Sequence, residues 1–315
     1  MGNAMWAMRL LIDQSFPPKS KFNVEDIPDL TGKIVIVTGG NTGVGKETIK
    51  ALLQHNAKVY MASRSKEKAE EAIADLKEDT GKDAIFLQLD LASLDAVKKA
   101  TEEFASKETK LHILFNNGGV MFPPVKEVTT DGYDLQFGTN VIGHFYFTKL
   151  LLPTLLETAK TSPDGKVRVV NTSSSMHMFA NLHFDTFRDG KKRAQMRTTK
   201  LYAQSKLGNV AFARELARRY GDQGIVSTSL NPGNLKTDLQ RHVPSLLRKI
   251  LDLSLYPAPY GALTQLYAGT SPGGADLNGK YLIPWARVGT ARKDSSDPET
   301  GVSLWEWLEE QVKDL

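Results

Sequence analysis

A tyrosine and a lysine stand one helical turn apart at Tyr202 and Lys206. Residues at positions i and i+4 share one face of a helix, so the phenol and the ammonium can occupy one small site. A free tyrosine has a pKa of about 10, and lowering it by ~3 units requires ~4 kcal/mol. One positive charge about 4 Å away supplies an energy of that order at an effective dielectric constant of about 20. The pair predicts an acid/base tyrosine whose pKa the lysine lowers.

A glycine-rich turn over Thr38 to Gly45 provides a second chemical signal. Glycine permits a tight turn and a close backbone approach, and the N-terminus of the helix that follows attracts a pyrophosphate. The spacing of these glycines differs from the commoner G-x-G-x-x-G fingerprint. Its position after the first predicted strand still favours a dinucleotide over a purely structural turn. The residues expected to hold the cofactor here are Gly39, Asn41, Thr42, Gly43 and Val44.

The residues after the second predicted strand indicate which dinucleotide is bound. An NAD site places Asp or Glu there to hydrogen-bond the ribose 2′-hydroxyl. This chain has Arg64 instead, with Lys66 and Lys68 just beyond it. Charge-assisted hydrogen bonds between arginine and phosphate are roughly twice as strong as neutral ones. We therefore predict NADP(H) in preference to NAD(H), with an ordinary solvated surface charge as the alternative reading of Arg64.

Short apolar strands alternate with helical segments and must position these groups. Strands are predicted at 33–38, 59–62, 85–89, 111–115, 167–170, 225–230 and 280–283, and helices at 44–55, 65–79, 93–106, 133–158 and 201–220. This alternation forms parallel βαβ units with right-handed crossovers. The predicted fold class is α/β, a doubly wound parallel sheet of about seven strands with helices on both faces, whose ligand site lies at the carboxyl ends of the strands.

Composition excludes several classes of protein. The chain of 315 residues has no cysteine, which excludes disulfides, thiolate metal sites and cysteine nucleophiles. A net charge of +4 is too mild for a nucleic-acid-binding protein, and the histidines lack a ligand cluster, so no metal site is predicted. The apolar stretch 4–12 is shorter than the about 20 residues that span a bilayer. We predict a cytoplasmic protein, with weak membrane contact through Trp6, Leu10 and Leu11 as the alternative.

Taken together, the motifs resemble the short-chain dehydrogenase/reductase family over about residues 31–285. The matching segments are Thr38 to Gly45, Asp90, Asn116 to Gly119, Asn140, Ser173 and Ser174, Tyr202 with Lys206, and Asn231 to Gly233. Within the family the chain looks most like the retinol-dehydrogenase-like branch. That branch shares the Asn-Thr-Gly turn, the Ser-Arg after the second strand and a long spacer between the serine and the tyrosine.

The resemblance implies a hydride-transfer site on a single Rossmann-type sheet of strand order 3-2-1-4-5-6-7. Tyr202 would be the general acid/base on the substrate oxygen, and Lys206 would bind the nicotinamide ribose. Ser174 would hydrogen-bond the carbonyl, with Ser173 as the competing assignment, and Asn140 would hold a water in the proton relay. The further implied cofactor contacts are Asp90 and Leu91 near the adenine, Asn117 and Gly118 on the adenosine side, and Pro232, Gly233 and Thr237 beside the nicotinamide.

These expectations predict an NADP(H)-dependent oxidoreductase that interconverts a carbonyl and an alcohol on a small apolar aldehyde, ketone or alcohol. The alternatives are a cofactor-binding regulator or scaffold without turnover, and an epimerase or dehydratase on the same scaffold. We predict an N-terminal arm over 1–30, a catalytic domain over 31–290 and a C-terminal tail with a helix over 291–315. The resemblance adds a substrate lid at about 238–258 and a homodimer through the two long helices.

Overall fold

The computed structural model of the chain describes residues 2–236 and 255–315. The strands are β1 (Ile34–Thr38), β2 (Lys58–Ser63), β3 (Ile85–Gln88), β4 (Ile113–Asn116), β5 (Val167–Thr172), β6 (Ile225–Leu230), β7 (Tyr281–Ile283) and β8 (Arg287–Gly289). The helices are α1 (Gly2–Ser15), α2 (Gly43–Gln54), α3 (Lys66–Thr80), α4 (Leu94–Lys107), α5 (Leu135–Phe137), α6 (Gly143–Thr161), α7 (Lys191–Ala194), α8 (Thr198–Tyr220), α9 (Ala258–Thr270) and α10 (Pro298–Val312).

The strands form one sheet in the order β3-β2-β1-β4-β5-β6-β7-β8. The pairs from β3 through β7 are all parallel. Helices α4, α6 and α8 pack on one face, and α2, α3 and α9 pack on the other. A strand covered on both faces is apolar at successive positions, which is why β1 reads as a continuous β-branched run. The predicted α/β class and the predicted order of the first seven strands are confirmed.

Strand β8 departs from the prediction of about seven parallel strands. It pairs antiparallel with β7, through Tyr281 opposite Gly289. The connection consists of residues 284–286, and parallel neighbours need a crossover of about a dozen residues or more. A Cβ on Gly289 would lie 2.4 Å from the Ile283 side chain, so glycine permits the close approach of the two strands.

The helix predicted over 133–158 is divided in the structure. It begins with α5, because the Asp134 carboxylate accepts hydrogen bonds from the N–H groups of Gln136 and Phe137 and so caps its start. A π-helical segment, Gly138–Ile142, then precedes α6. π-Helical turns are rare and frequently occur at functional sites.

The C-terminal helix α10 lies across α6 and α8. The Trp305 ring is 5.1 Å from that of Phe145 and 6.0 Å from that of Phe212, measured between ring centroids. Lys149 of α6 also pairs with Glu309 of α10. A homodimer formed through this side of the two long helices would therefore have to displace a buried tryptophan.

The N-terminal helix α1 packs against the sheet near the carboxyl end of β6. Asp13 forms an ion pair of 2.9 Å with Arg287 of β8. Gln14, which is buried, accepts a hydrogen bond of 2.9 Å from the Asn231 amide. Across the two described ranges, no helix has both the length and the apolar content that crossing a bilayer requires.

Candidate active site

A cleft of about 880 Å³ opens at the carboxyl ends of the central strands. That volume lies within the about 300–1,000 Å³ typical of small-molecule and cofactor sites. The predicted site residues that line the cleft are Gly39, Asn41, Thr42, Gly43, Val44, Arg64, Asn117, Gly118, Ser173, Ser174, Tyr202, Lys206, Pro232 and Gly233. The topology thus brings together residues that are far apart in the sequence.

The glycine-rich turn packs the first turn of α2 directly against the end of β1. Gly39 and Gly43 adopt positive φ angles of 64° and 53°. A Cβ on Gly45 would lie 2.2 Å from the Gly39 carbonyl oxygen, so a side chain there would push the helix away. The first N–H groups of a helix have no partner within it. The end of α2 that faces the cleft therefore provides a site for an anion.

The loop after β4 is held by the Thr38 side chain. The Thr38 hydroxyl accepts hydrogen bonds from the Asn117 N–H at 2.9 Å and the Gly118 N–H at 2.8 Å. The Asn117 side-chain amide returns a hydrogen bond of 2.9 Å to the Thr38 carbonyl oxygen. The ends of β1 and β4 are thereby fixed to each other beneath the cleft.

His144 supports this arrangement from the core, and sequence analysis did not include it in the site. Its Nδ1 lies 3.1 Å from the Asn140 carbonyl oxygen, and its Nε2 lies 2.9 Å from the Thr38 hydroxyl. A carbonyl oxygen can only accept, so Nδ1 carries the proton and Nε2 accepts from the hydroxyl. Burial lowers the pKa of His144 to about 4, so the ring is neutral at physiological pH.

Asn140 lies in the π-helical segment and connects the loop after β4 to α8. Its side-chain oxygen accepts from the Val120 N–H at 2.9 Å, and its Nδ2 donates to the Val120 carbonyl oxygen at 3.0 Å. Nδ2 also donates to the Ser205 hydroxyl at 3.0 Å. The main-chain oxygen accepts from the Asn209 amide at 2.8 Å as well as from the neighbouring histidine. An amide oxygen can accept two hydrogen bonds and the Asn140 side-chain oxygen accepts one within the described residues, so a relay water on Asn140 would bind at that oxygen.

Tyr202 and Lys206 are both buried within α8, each with 4% of its surface exposed. Lys206 Nζ donates a hydrogen bond of 2.9 Å to the Thr172 carbonyl oxygen and lies 5.7 Å from the centre of the tyrosine ring. Burial lowers the pKa of Lys206 to about 8 and raises the pKa of Tyr202 to about 12. The direction for the tyrosine is opposite to the one expected from charge alone. In the free chain the phenol is protonated at neutral pH, the form that can donate a proton.

The two adjacent serines after β5 face different neighbours. The Ser174 hydroxyl is hydrogen-bonded to the Tyr202 phenol, and this bond opposes the rise in the tyrosine pKa. The same hydroxyl accepts from the Met176 N–H at 3.2 Å. Ser173 instead donates to the Lys206 main-chain oxygen at 2.7 Å and is buried. Ser174 is therefore the serine whose hydroxyl meets the phenol.

A positive region borders the other end of the cleft. Arg64 directly follows β2 and is exposed, and Ser65 caps α3 by accepting from the Lys68 N–H at 3.4 Å. Lys46 pairs with Asp75 at 2.5 Å. Among the described residues, by contrast, neither Arg64 nor Lys68 has a carboxylate partner, so two cations are free at this end.

Besides Asn140, two predicted residues within the described ranges do not appear on the cleft lining. The Asp90 carboxylate accepts from the Ala92 N–H at 3.0 Å. The Leu91 side chain packs against Gly118, where an added Cβ would lie 3.2 Å from Leu91 Cδ1. Thr237 lies outside the described residues, as do residues 238–254 of the predicted lid.

Phe122 is a second neighbour of the site that sequence analysis missed. Its ring meets the Tyr202 ring edge-on, with centroids 5.2 Å apart and an angle of 74°. Its φ angle is positive, at 56°. No sequence signal could have found it, because a bulky residue is not expected at a positive φ.

Comparison with known proteins gives consistent results. A family model described as short chain dehydrogenase matches residues 33–246. A short-chain dehydrogenase/reductase of Armillaria gallica is 61% identical over 314 residues, covering 100% of both chains. An uncharacterized oxidoreductase of Schizosaccharomyces pombe is 40% identical over 89% of this chain and 84% of its own. The crystal structure of a putative uncharacterized protein from Mycobacterium Paratuberculosis superposes with a TM-score of 0.72 at 26% identity, covering 93% of this chain and 98% of the other.

Proposed function

The chain belongs to the short-chain dehydrogenase/reductase family of oxidoreductases, and from that premise we propose that it transfers a hydride between NADP(H) and a small apolar aldehyde or ketone, or the corresponding alcohol. The observation that carries the proposal is the meeting of three side chains in one cleft. A buried, protonated phenol on Tyr202 is hydrogen-bonded to Ser174 and lies beside the Lys206 ammonium. The glycine-rich turn opens into the same cleft.

The residues of the cleft fit a phosphorylated dinucleotide. The glycines of the turn let the start of α2 pack directly against the end of β1. The first N–H groups of α2 would there bind the pyrophosphate. Arg64 and Lys68, unpaired among the described residues, would hold the 2′-phosphate. Pro232 and its neighbouring glycine would border the nicotinamide, which supplies the hydride when it is bound.

The chain's own residues would control the charge on the substrate oxygen. Negative charge grows on that oxygen as the carbonyl carbon is reduced, so donors placed there lower the barrier. Tyr202 would donate its proton to this oxygen, and the Ser174 hydroxyl would donate a second hydrogen bond. Lys206 would bind the ribose and keep a positive charge near the phenol. Asn140 would hold the loop at Val120 in place against α8.

The apolar part of the cleft supports an apolar substrate. Met121, Met176, Leu235 and Leu255 contribute to its lining. Methionine and leucine form adaptable apolar surfaces with few polar partners to satisfy. We therefore infer that the substrate offers one carbonyl or hydroxyl group on an apolar body.

A screen of NADPH oxidation against aldehydes, ketones and quinones of graded size tests the proposal. We expect NADPH to be consumed in a one-to-one ratio with a carbonyl compound. Tight NADPH binding without turnover of any compound would favour the regulator or scaffold. Conversion of a compound with no net change in NADPH would favour an epimerase or dehydratase.

The affinity for NADPH is expected to weaken as the pH rises through about 8, the pKa to which burial lowers Lys206 in the free enzyme. A bound cofactor favours the charged lysine, so deprotonation above this pKa opposes binding. Fluorescence titration of NADPH between pH 7 and pH 9.5 measures the dissociation constant. A constant that is flat or falls over this range would contradict the role of Lys206.

A further inference from the structure

Phe122 adopts a backbone conformation that its own side chain disfavours. It is a non-glycine residue with a φ of 56°. A bulky residue in this region is strained and persists only where its surroundings hold it, often at an active site. The residues before it, Val120 and Met121, line the cleft. The strained residue therefore lies at the end of a cleft-lining loop.

The buried side chain of Gln136 holds this conformation. Its Oε1 accepts a hydrogen bond of 3.0 Å from the Phe122 N–H. Its Nε2 donates to the Thr198 carbonyl oxygen at 2.9 Å and to the Thr198 hydroxyl at 3.2 Å. The Thr198 hydroxyl in turn donates to the Pro123 carbonyl oxygen at 2.9 Å. One amide thus joins the loop to the first residue of α8.

The connection reaches the tyrosine through the helix. Thr198 and Tyr202 are four residues apart on α8 and so share one face. Gln136 therefore fixes the backbone of Phe122 relative to the helix that carries the phenol. The Phe122 and Tyr202 rings also contact each other directly, edge-on with centroids 5.2 Å apart, so the loop and α8 are joined at a second place. The hydroxyl at the far end of the phenol ring is the one bonded to Ser174.

We propose that Phe122 is a positioning residue for Tyr202 and that Gln136 sets its position. The Phe122 ring fixes the plane of the phenol, so that the hydroxyl points at the substrate oxygen beside Ser174. This inference rests on the proposed function. It assigns to the strained loop a role in turnover that is separate from cofactor binding.

Two substitutions at Phe122 separate positioning from space filling. Phe122→Leu keeps an apolar side chain but removes the aromatic edge, and we expect kcat to fall roughly tenfold, the factor that about 1.4 kcal/mol of an aromatic pair represents. The NADPH dissociation constant should stay unchanged. Phe122→Tyr keeps the ring, and its kcat should return to within about twofold of wild type, because the aromatic contact is retained.

Gln136→Met tests the same connection from the other end. It removes all three hydrogen bonds of the Gln136 amide at similar volume, and we expect a similar loss of kcat. The double variant Phe122→Leu/Gln136→Met should lose less kcat than the product of the two single losses, because both substitutions act on one contact. Phe16→Leu, at a ring that is 70% exposed just after α1, serves as the matched control and should leave kcat unchanged.

The outcomes distinguish this inference from the proposed function. A Phe122→Leu variant with the kcat of the wild type would overturn the positioning role and leave the proposed function intact. So would a Phe122→Tyr variant that loses as much kcat as Phe122→Leu. Fully multiplicative losses in the double variant would do the same. Absence of carbonyl turnover in the wild-type chain would reject the proposed function and this inference with it.

Discussion

The Tyr202→Phe variant is expected to bind NADPH as the wild type does and to lose about two or more orders of magnitude in kcat, the scale of an acid/base group. The substitution removes only the hydroxyl, together with its hydrogen bond to Ser174. The ring remains, so the edge-on contact with Phe122 is kept. Lys206 also keeps its hydrogen bond to the Thr172 carbonyl oxygen. Steady-state NADPH oxidation gives kcat, and fluorescence titration gives the dissociation constant.

Tyr146→Phe is the matched control for this variant. The Tyr146 hydroxyl is buried in α6, and within the described part of the chain it has no hydrogen-bond partner. Its removal should leave both kcat and the NADPH dissociation constant unchanged. Wild-type turnover in Tyr202→Phe would remove the phenol from the mechanism. Loss of NADPH binding in that variant would instead assign it a structural role.

The larger part of the sheet could be predicted because buried parallel strands have a distinctive composition. The ends of β1 through β7 lie within two residues of the segments predicted from β-branched and apolar runs. Strand β8 has the sequence Arg-Val-Gly and is only three residues long, so it shows neither a run nor an alternation. The π-helical turn at Gly138–Ile142 was also beyond sequence reasoning, since its side-chain pattern continues that of the helices around it.

The choice between Ser173 and Ser174 is one that the sequence alone does not determine. Successive side chains of an extended segment point to opposite sides. Ser173 therefore faces the main chain of α8, where it bonds to Lys206, while Ser174 faces the phenol. Sequence spacing identifies the pair but not its direction, because a shift of one residue exchanges the two sides.

The charge of Lys206 alone does not predict the direction in which the pKa of Tyr202 shifts. A Coulomb estimate for one lysine predicts a fall in the phenol pKa of the right order for a base. Burial penalises the charged form of each group, phenolate and ammonium alike. It therefore raises the pKa of the phenol and lowers the pKa of the lysine. The result is a phenol at about 12 and a lysine at about 8. A protonated Tyr202 suits the proposed reduction of a carbonyl, in which it would give up a proton.

Arg64→Ala is expected to weaken NADPH binding by about 10- to 100-fold, because a hydrogen bond to a charged group contributes roughly 1.5–3 kcal/mol. NADH lacks the 2′-phosphate, so its dissociation constant should change little. Arg64 lines the cleft directly after β2 and has no carboxylate partner among the described residues. Arg64→Asp should go further and reverse the preference, because a carboxylate repels the phosphate and accepts from the ribose hydroxyl. Titrations with both cofactors, alongside kcat/KM for each, measure the change.

Lys66→Ala is the matched control, since it removes the same charge two residues away. Lys66 does not line the cleft and lies 3.7 Å from Glu70 on the exposed side of α3. Removal of the Lys66 charge weakens the positive potential at the cleft but removes no direct contact with NADPH. Any change in the NADPH dissociation constant should therefore shrink as the salt concentration rises. An equal loss for both cofactors in Arg64→Ala, or a wild-type preference for NADH, would mean that Arg64 does not read the 2′-phosphate. A loss confined to NADPH and absent from Lys66→Ala would assign that recognition to the single guanidinium at the end of β2.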